Sequence, residues 1–313
     1  MTQAPQITSS SWLMVALLGL VWGATFLFID IALFGITPFW LAAYRIVFAA
    51  LLTGLVWAAT GARFFLSKAR NWPGVILVGL LSSAIPFMLL SWGQQHVSSG
   101  FAGVSMAAVA LMVLPLAHYL IPEERLTWRR GLGFVIGFIG VLILMGEAGL
   151  STTGASHEQW GRAACLAAAA CYALSSIAMR RLPPMDAIGL AAVPLVIGSA
   201  FVVPLAWAVE GPPPMPDRQT LLVLLVLGLL PTAGANLLRV LVIRSAGPVF
   251  MSLTNYQVPL WSVAFGMIFL GEPFRLALLL ALILILCGVA LSQWGALSRL
   301  FRPVFNYPSS KPK

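Results

Sequence analysis

Residues 12–33 read WLMVALLGLVWGATFLFIDIAL, with one charge, Asp30, close to the far end. A helix needs about 20 mostly apolar residues to cross a bilayer, so this run is long enough to span one. No basic segment precedes it and no small-residue cleavage site is evident, so it reads as a retained first span rather than a signal peptide. Nine runs of the same kind follow, at roughly 38–59, 72–92, 99–121, 128–146, 160–180, 187–209, 219–240, 248–270 and 275–294. Polar, Pro or Gly punctuation separates them, as at Gly35-Ile36-Thr37-Pro38, Pro122-Glu123-Glu124-Arg125 and Gly211-Pro212-Pro213-Pro214-Met215-Pro216. Hydrophobic residues make up 60% of the 313 and charged residues 9%, where soluble proteins carry about 25% charged residues. So few charges cannot cover a water-exposed globule of this size. The expected fold is an all-α membrane protein of ten transmembrane helices. A water-soluble enzyme and a disordered chain are poor readings of it.

The net charge of +9 does not point to nucleic acid, because no basic stripe is interleaved with aromatics. The positive charges sit in short connections, where they set membrane orientation. With the N-terminus inside, the inner connections hold Arg63, Lys68, Arg70, Arg125, Arg129, Arg130, Arg180, Arg181, Arg239 and Arg244, and the tail holds Arg299, Arg302, Lys311 and Lys313. The outer connections hold only Arg162, Arg218 and Arg275. Both termini are therefore expected in the cytoplasm. Expected boundaries are an N-terminal tail at 1–11, a first five-helix repeat at 12–147, an external loop at 148–159, a second repeat at 160–294 and a surface tail at 295–313.

The two halves resemble each other at an offset of about 150 residues. Gly54-Leu55-Val56-Trp57-Ala58-Ala59-Thr60-Gly61 aligns with Pro204-Leu205-Ala206-Trp207-Ala208-Val209-Glu210-Gly211, and Trp22-Gly23-Ala24-Thr25-Phe26 with Tyr172-Ala173-Leu174-Ser175-Ser176. Glu124 and Gly140-Val141 fall on Glu272 and Gly288-Val289. Five spans is an odd number, so the second half crosses in the opposite sense. Inverted repeats of this kind place a substrate site at their interface in secondary transporters.

With these motifs the chain resembles the drug/metabolite transporter superfamily, in particular its EamA-type ten-helix members. The likeness rests on Trp22-Gly23-Ala24-Thr25-Phe26, Ala42-Ala43-Tyr44-Arg45, Glu124-Arg125-Leu126-Thr127 followed by Gly140-Val141, and Gly271-Glu272-Pro273 followed by Gly288-Val289. The proline common in the fourth span of each half is present as Pro259, but Ala110 or Leu111 stands at the matching place in the first half. In length and aromatic content the chain is similar to the aromatic amino-acid exporters of the superfamily. The resemblance implies a multi-pass protein of a bacterial inner membrane that moves a small-molecule substrate. A nucleotide-sugar or drug/cation carrier of the same fold is the alternative. Both repeats lie in one chain, so a monomer is expected to suffice.

Polar residues at depth are the candidates for the site. One face of the first span carries Trp22, Thr25 and Phe26, and its repeat partner carries Tyr172, Ser175 and Ser176, as steps of three and four allow. Span eight carries Thr232, Asn236 and Arg239, of which Asn236 is the pocket candidate and Arg239 the snorkelling one. Span nine carries Asn255 and Tyr256, with Gln257 turned towards a neighbouring helix. Pro86, Pro231 and Pro259 are candidate hinge or gate positions, because a proline inside a span frees a carbonyl. Each of these residues has a purely packing interpretation as well.

Arg45 is the basic residue well inside a span, about 10 Å below its outer end. Asp30 is the nearest carboxylate by depth. Arg45 therefore either forms a fixed pair with Asp30 or attracts a substrate carboxylate. No carboxylate lies near the midplane, which favours transport down the substrate gradient over proton antiport. Cys165, Cys171 and Cys287 lack metal or redox spacing, and no disulfide, metal or cofactor is expected. No HExxH, GxSxG or paired aspartates occur at depth, which argues against a membrane-embedded enzyme. Reporters that fluoresce only in the cytoplasm, fused to either end, are expected to give signal from both. Signal from one end alone would remove the mirrored arrangement.

Overall fold

The computed structural model describes residues 7–121, 127–146, 157–246 and 248–301. Glu123, Glu124, Arg125, most of the expected external loop, and Arg302, Lys311 and Lys313 lie outside the described residues. Helices account for nearly all of the rest, and the extended structure among the described residues is one isolated bridge between Phe65 and Met185.

Helix α1 spans Ser9–Leu33, α2 Pro38–Ala59, α4 Ser99–Leu120, α5 Trp128–Gly146, α6 Glu158–Arg180 and α7 Ala187–Glu210. Helix α3 runs from Trp72–Gly79 through a π-helical turn at Leu80–Ala84 into Ile85–Gly93. Helix α8 does the same, from Arg218–Leu227 through Gly228–Gly234 into Ala235–Ala246. The starts follow from local chemistry. The first backbone N–H groups of a helix have no partner within it. Thr8, Asn71, Ser98, Asp186 and Asp217 accept them at α1, α3, α4, α7 and α8. At α2 Pro38 fills the first turn, where its missing N–H does no harm.

Eight helices among the described residues are long and apolar enough to cross a bilayer. The last two expected spans differ. The run at 248–270 is split into α9, Pro248–Met251, and α10, Thr254–Phe269. Leu253, Asn255 and Tyr256 each donate their N–H to the carbonyl three residues back, which tightens the chain there into a turn. The next run forms α11, Leu276–Ser292, of 17 residues. After α11, α12 covers Trp294–Phe301, joined on through Leu297 N–H to Gln293 O at 3.0 Å.

The packing has a mirror pattern. Helix α1 packs on α10 as α6 packs on α4, while α2 pairs with α7, α5 with α11 and α4 with α10. Each contact joins the two halves: the first two pair the first helix of one half with the fourth of the other, and the last three pair helices of the same rank. Small residues are interleaved with the large ones of the core. Ala42, Ala43, Ala49, Ala84, Ala206 and Ala233 are buried in one cluster, and Ala102, Ala107, Ala108, Ala168 and Ala281 in another. Lipid tails are as apolar as Leu, so close backbone approach rather than hydrophobic burial holds such helices together. The α5–α11 seam is the tightest case. A Cβ added at Gly288 would lie 2.4 Å from Gly133 O and 2.5 Å from Gly137 N. Gly288→Ala is therefore expected to destabilise the protein by about 1–3 kcal/mol, read as a lower midpoint of thermal unfolding in detergent. An unchanged midpoint would mean the seam is not closed there.

Candidate functional site

The π-helical turn of α8 organises the centre of the molecule. Its wider winding puts Ala235 N–H on Leu230 O, five residues back. Thr232 donates its hydroxyl to Leu227 O at 2.7 Å. Pro231 O receives the indole N–H of Trp22 at 2.9 Å, which ties α1 to α8 across the two halves. Thr232 O receives the Asn236 amide at 2.6 Å. The turn in α3 is built alike: Ile85 N–H reaches Leu80 O, and Ser83 donates to Gly79 O at 2.8 Å. The two turns share sequence as well as shape, GLLSSA at 79–84 and GLLPTA at 228–233.

Arg45 is 5% exposed and donates from Nε to Thr232 Oγ1 at 2.8 Å. Its guanidinium lies 3.9 Å from the centroid of the Phe87 ring, a cation–π contact. Tyr172 stands close enough to interact with it electrostatically. The expected pair with Asp30 is absent. Arg45 turns towards the α8 hydroxyl, and the one ion pair among the described residues joins Arg162 to Glu158. Arg162 also donates to Leu144 O at 3.0 Å.

The other candidates separate into two groups. Thr25, Phe26 and Ser175 are buried, and Thr25 returns its hydroxyl to Val21 O at 3.2 Å. Tyr172 is partly buried and packs against both main hydrophobic clusters, with Tyr256 and Phe26 in the second of them. The Tyr256 hydroxyl is buried and has no hydrogen-bond partner. Ser176 and Asn255 are exposed. Ser176 shares a helix face with Tyr172, and Asn255 shares one with the buried Pro259 and Ser262, by steps of three and four. Asn236 serves its own helix, as above. Gln257 packs against Gly19 of α1, towards a neighbouring helix as the sequence implies. Pro86, Pro231 and Pro259 are all buried, the first just after one π turn and the second inside the other.

Three residues that sequence reasoning passed over, or noted only as span ends, matter here. Phe87 covers Arg45. Glu210, at the end of α7, accepts the Thr37 hydroxyl at 2.6 Å and the N–H groups of Phe39 and Trp40 at 3.0 Å. Glu272 accepts Ser99 N–H at 2.6 Å and Gly100 N–H at 3.1 Å. Each carboxylate thus caps a helix of the other half, and a helix N-terminus favours negative charge. Gly266 makes room for the second of them, since a Cβ there would lie 2.4 Å from Glu272 Oε2. The alignment of Glu272 with Glu124 carried part of this signal. The GLL repeat carried the π turns.

Thr232→Val removes the acceptor of a buried, charged donor. It is expected to lower stability by about 1–3 kcal/mol, whereas Thr232→Ser keeps it nearly unchanged. Chemical unfolding of the two variants in detergent checks this, and equal values would detach Arg45 from α8.

Residues 9–146 match the EamA-like transporter family, and residues 159–294 match it again. The chain is 22% identical over 277 residues to the uncharacterized transporter YoaV of Bacillus subtilis (strain 168), covering 88% of this chain and 94% of that one. It is 25% identical over 271 residues to a probable terminal-alkyne amino-acid exporter of Streptantibioticus cattleyicolor, covering 85% and 87%. A solved crystal structure with 21% sequence identity superposes with a TM-score of 0.64 over 95% of this chain and 100% of its own, which shows a shared fold. With both halves matched, the chain belongs to the EamA-like transporter family, within the drug/metabolite transporter superfamily.

Proposed function

We propose that the protein is a secondary carrier that exports small amphipathic metabolites, aromatic or other neutral amino acids first among them, by alternating access. Ten spans form two inverted five-helix repeats in this reading, with α9–α10 and α11 as the last two and both termini cytoplasmic. The substrate sits between the halves, among Trp22, Phe26, Arg45, Tyr172, Asn236 and Tyr256. Thr25, Ser175, Ser176 and Asn255 lie on the same helices and complete the path.

The observation that carries the reading is the mirrored packing around a polar centre made by both halves. Trp22 and Arg45 come from the first half, and Pro231 and Thr232 from the second. A carrier must close this centre from one side at a time. The connections after α1, α3, α7 and α10 are latched to one another by Glu210 and Glu272. Trp40 Nε1 adds a bond to Gly211 O at 3.2 Å and Tyr44 a bond to Pro214 O at 2.9 Å. Towards the opposite end, Ser176 and Asn255 are exposed on faces that are closed nearer the centre. This pattern suits a conformation shut on the outer side, with the buried prolines of α3, α8 and α10 as its flexing points. The amino-acid exporter of Streptantibioticus cattleyicolor supports the substrate class.

Purified protein in liposomes loaded with unlabelled tryptophan is expected to accumulate labelled tryptophan by counterflow, and empty liposomes are not. Labelled lysine and a nucleotide sugar serve as comparisons. Counterflow of the sugar alone would keep the carrier and replace its substrate. Counterflow of none would end the carrier reading.

A further inference from the structure

We propose that Arg45 is the carboxylate-binding residue of this carrier, and that its substrates are amphipathic monocarboxylates held by the terminal nitrogens of that guanidinium. The inference rests on the carrier reading and deepens it.

Arg45 lies about two turns inside α2, at membrane depth in that reading. Its side chain is 95% buried, yet no carboxylate of the described residues pairs with it. A charge in that position is costly unless something neutralises it. Nε is occupied by Thr232, and one face of the guanidinium plane is covered by Phe87. What remains is the end of the fork, where Nη1 is buried without a hydrogen-bond partner. The free end of an arginine fork matches the two oxygens of a carboxylate.

The neighbours narrow the choice. Trp22 spends its indole N–H on Pro231 O, and Asn236 spends its amide on Thr232 O, so both are committed to the protein itself. Tyr172 packs against the cluster that holds Phe87 and carries a phenol, a donor suited to a carboxylate oxygen. On α10 the Tyr256 hydroxyl is buried and unpartnered, among the cluster that also seats Phe26 and Tyr172. The centre therefore offers a cation at Arg45 and aromatic surface at Phe26, Tyr172 and Tyr256, with the Tyr256 hydroxyl as a polar tip. That arrangement fits a flat apolar body ending in a carboxylate. An organic cation would be repelled by the buried guanidinium.

The test compares phenylalanine, 3-phenylpropionate, phenylalanine amide and phenethylamine as ligands of the full chain in detergent, by the ligand-dependent rise in its melting temperature. Phenylalanine and 3-phenylpropionate are expected to raise it saturably, and the amide and amine are not. Arg45→Gln is expected to weaken the response to both acids by about 10- to 100-fold and to abolish the preference for acid over amide. Arg45→Lys should keep the preference at reduced affinity, and this variant decides the matter should Arg45→Gln fail to fold. Equal response to the acid and the amide, no response to either acid, or full preference in Arg45→Gln would each overturn the proposal. Counterflow of phenethylamine without counterflow of the acids would overturn it while leaving the carrier intact.

Discussion

Hydrocarbon offers no hydrogen bonds, so every backbone group that a helix irregularity sets free must find its partner within the protein. This constraint explains the centre of the molecule. Proline at 231 cannot donate, and the π turn around it shifts the register of the neighbouring bonds. Trp22, Thr232 and Asn236 meet the altered backbone with side chains from α1 and α8. The irregularity thereby becomes a joint between the two halves rather than a defect. Elsewhere the Gln94 amide donates to Phe26 O at 2.9 Å and Arg162 to Leu144 O near the end of α5.

Close packing and polar latching divide the remaining work. Small residues let α5 and α11 approach until no Cβ fits at Gly288. That seam is rigid, because a well-packed contact between backbones has no softer alternative. The latches formed by Glu210 and Glu272 differ in kind. They hold helix N-termini by charge-assisted bonds, which water can replace. A seam of small residues and a set of exchangeable caps are what the proposed alternating access would use.

The buried guanidinium stands apart from both. Arg45 is anchored by one hydroxyl and one ring face, and neither carries a negative charge. Structural ion pairs at membrane depth normally complete themselves within the protein. Completion by an entering carboxylate is what we propose above.

The sequence by itself determined the helical membrane class, the position of eight long spans and the duplication. Apolar run length and turn chemistry are local properties that need no knowledge of neighbours. It also marked Trp22, Arg45 and Tyr172, because a polar or aromatic residue inside an apolar run is visible one residue at a time. Partners were another matter. Depth along a span ranked Asp30 first for Arg45, whereas Thr232 holds it, because facing depends on helix rotation and a one-dimensional pattern does not carry it. The split of the ninth run at Ser252–Leu253, the helical start of the tail and the carboxylate caps likewise depend on contacts between distant segments. Glu210 lies 170 residues from Trp40 in the chain. Only the folded arrangement brings that carboxylate to the N–H groups that need it.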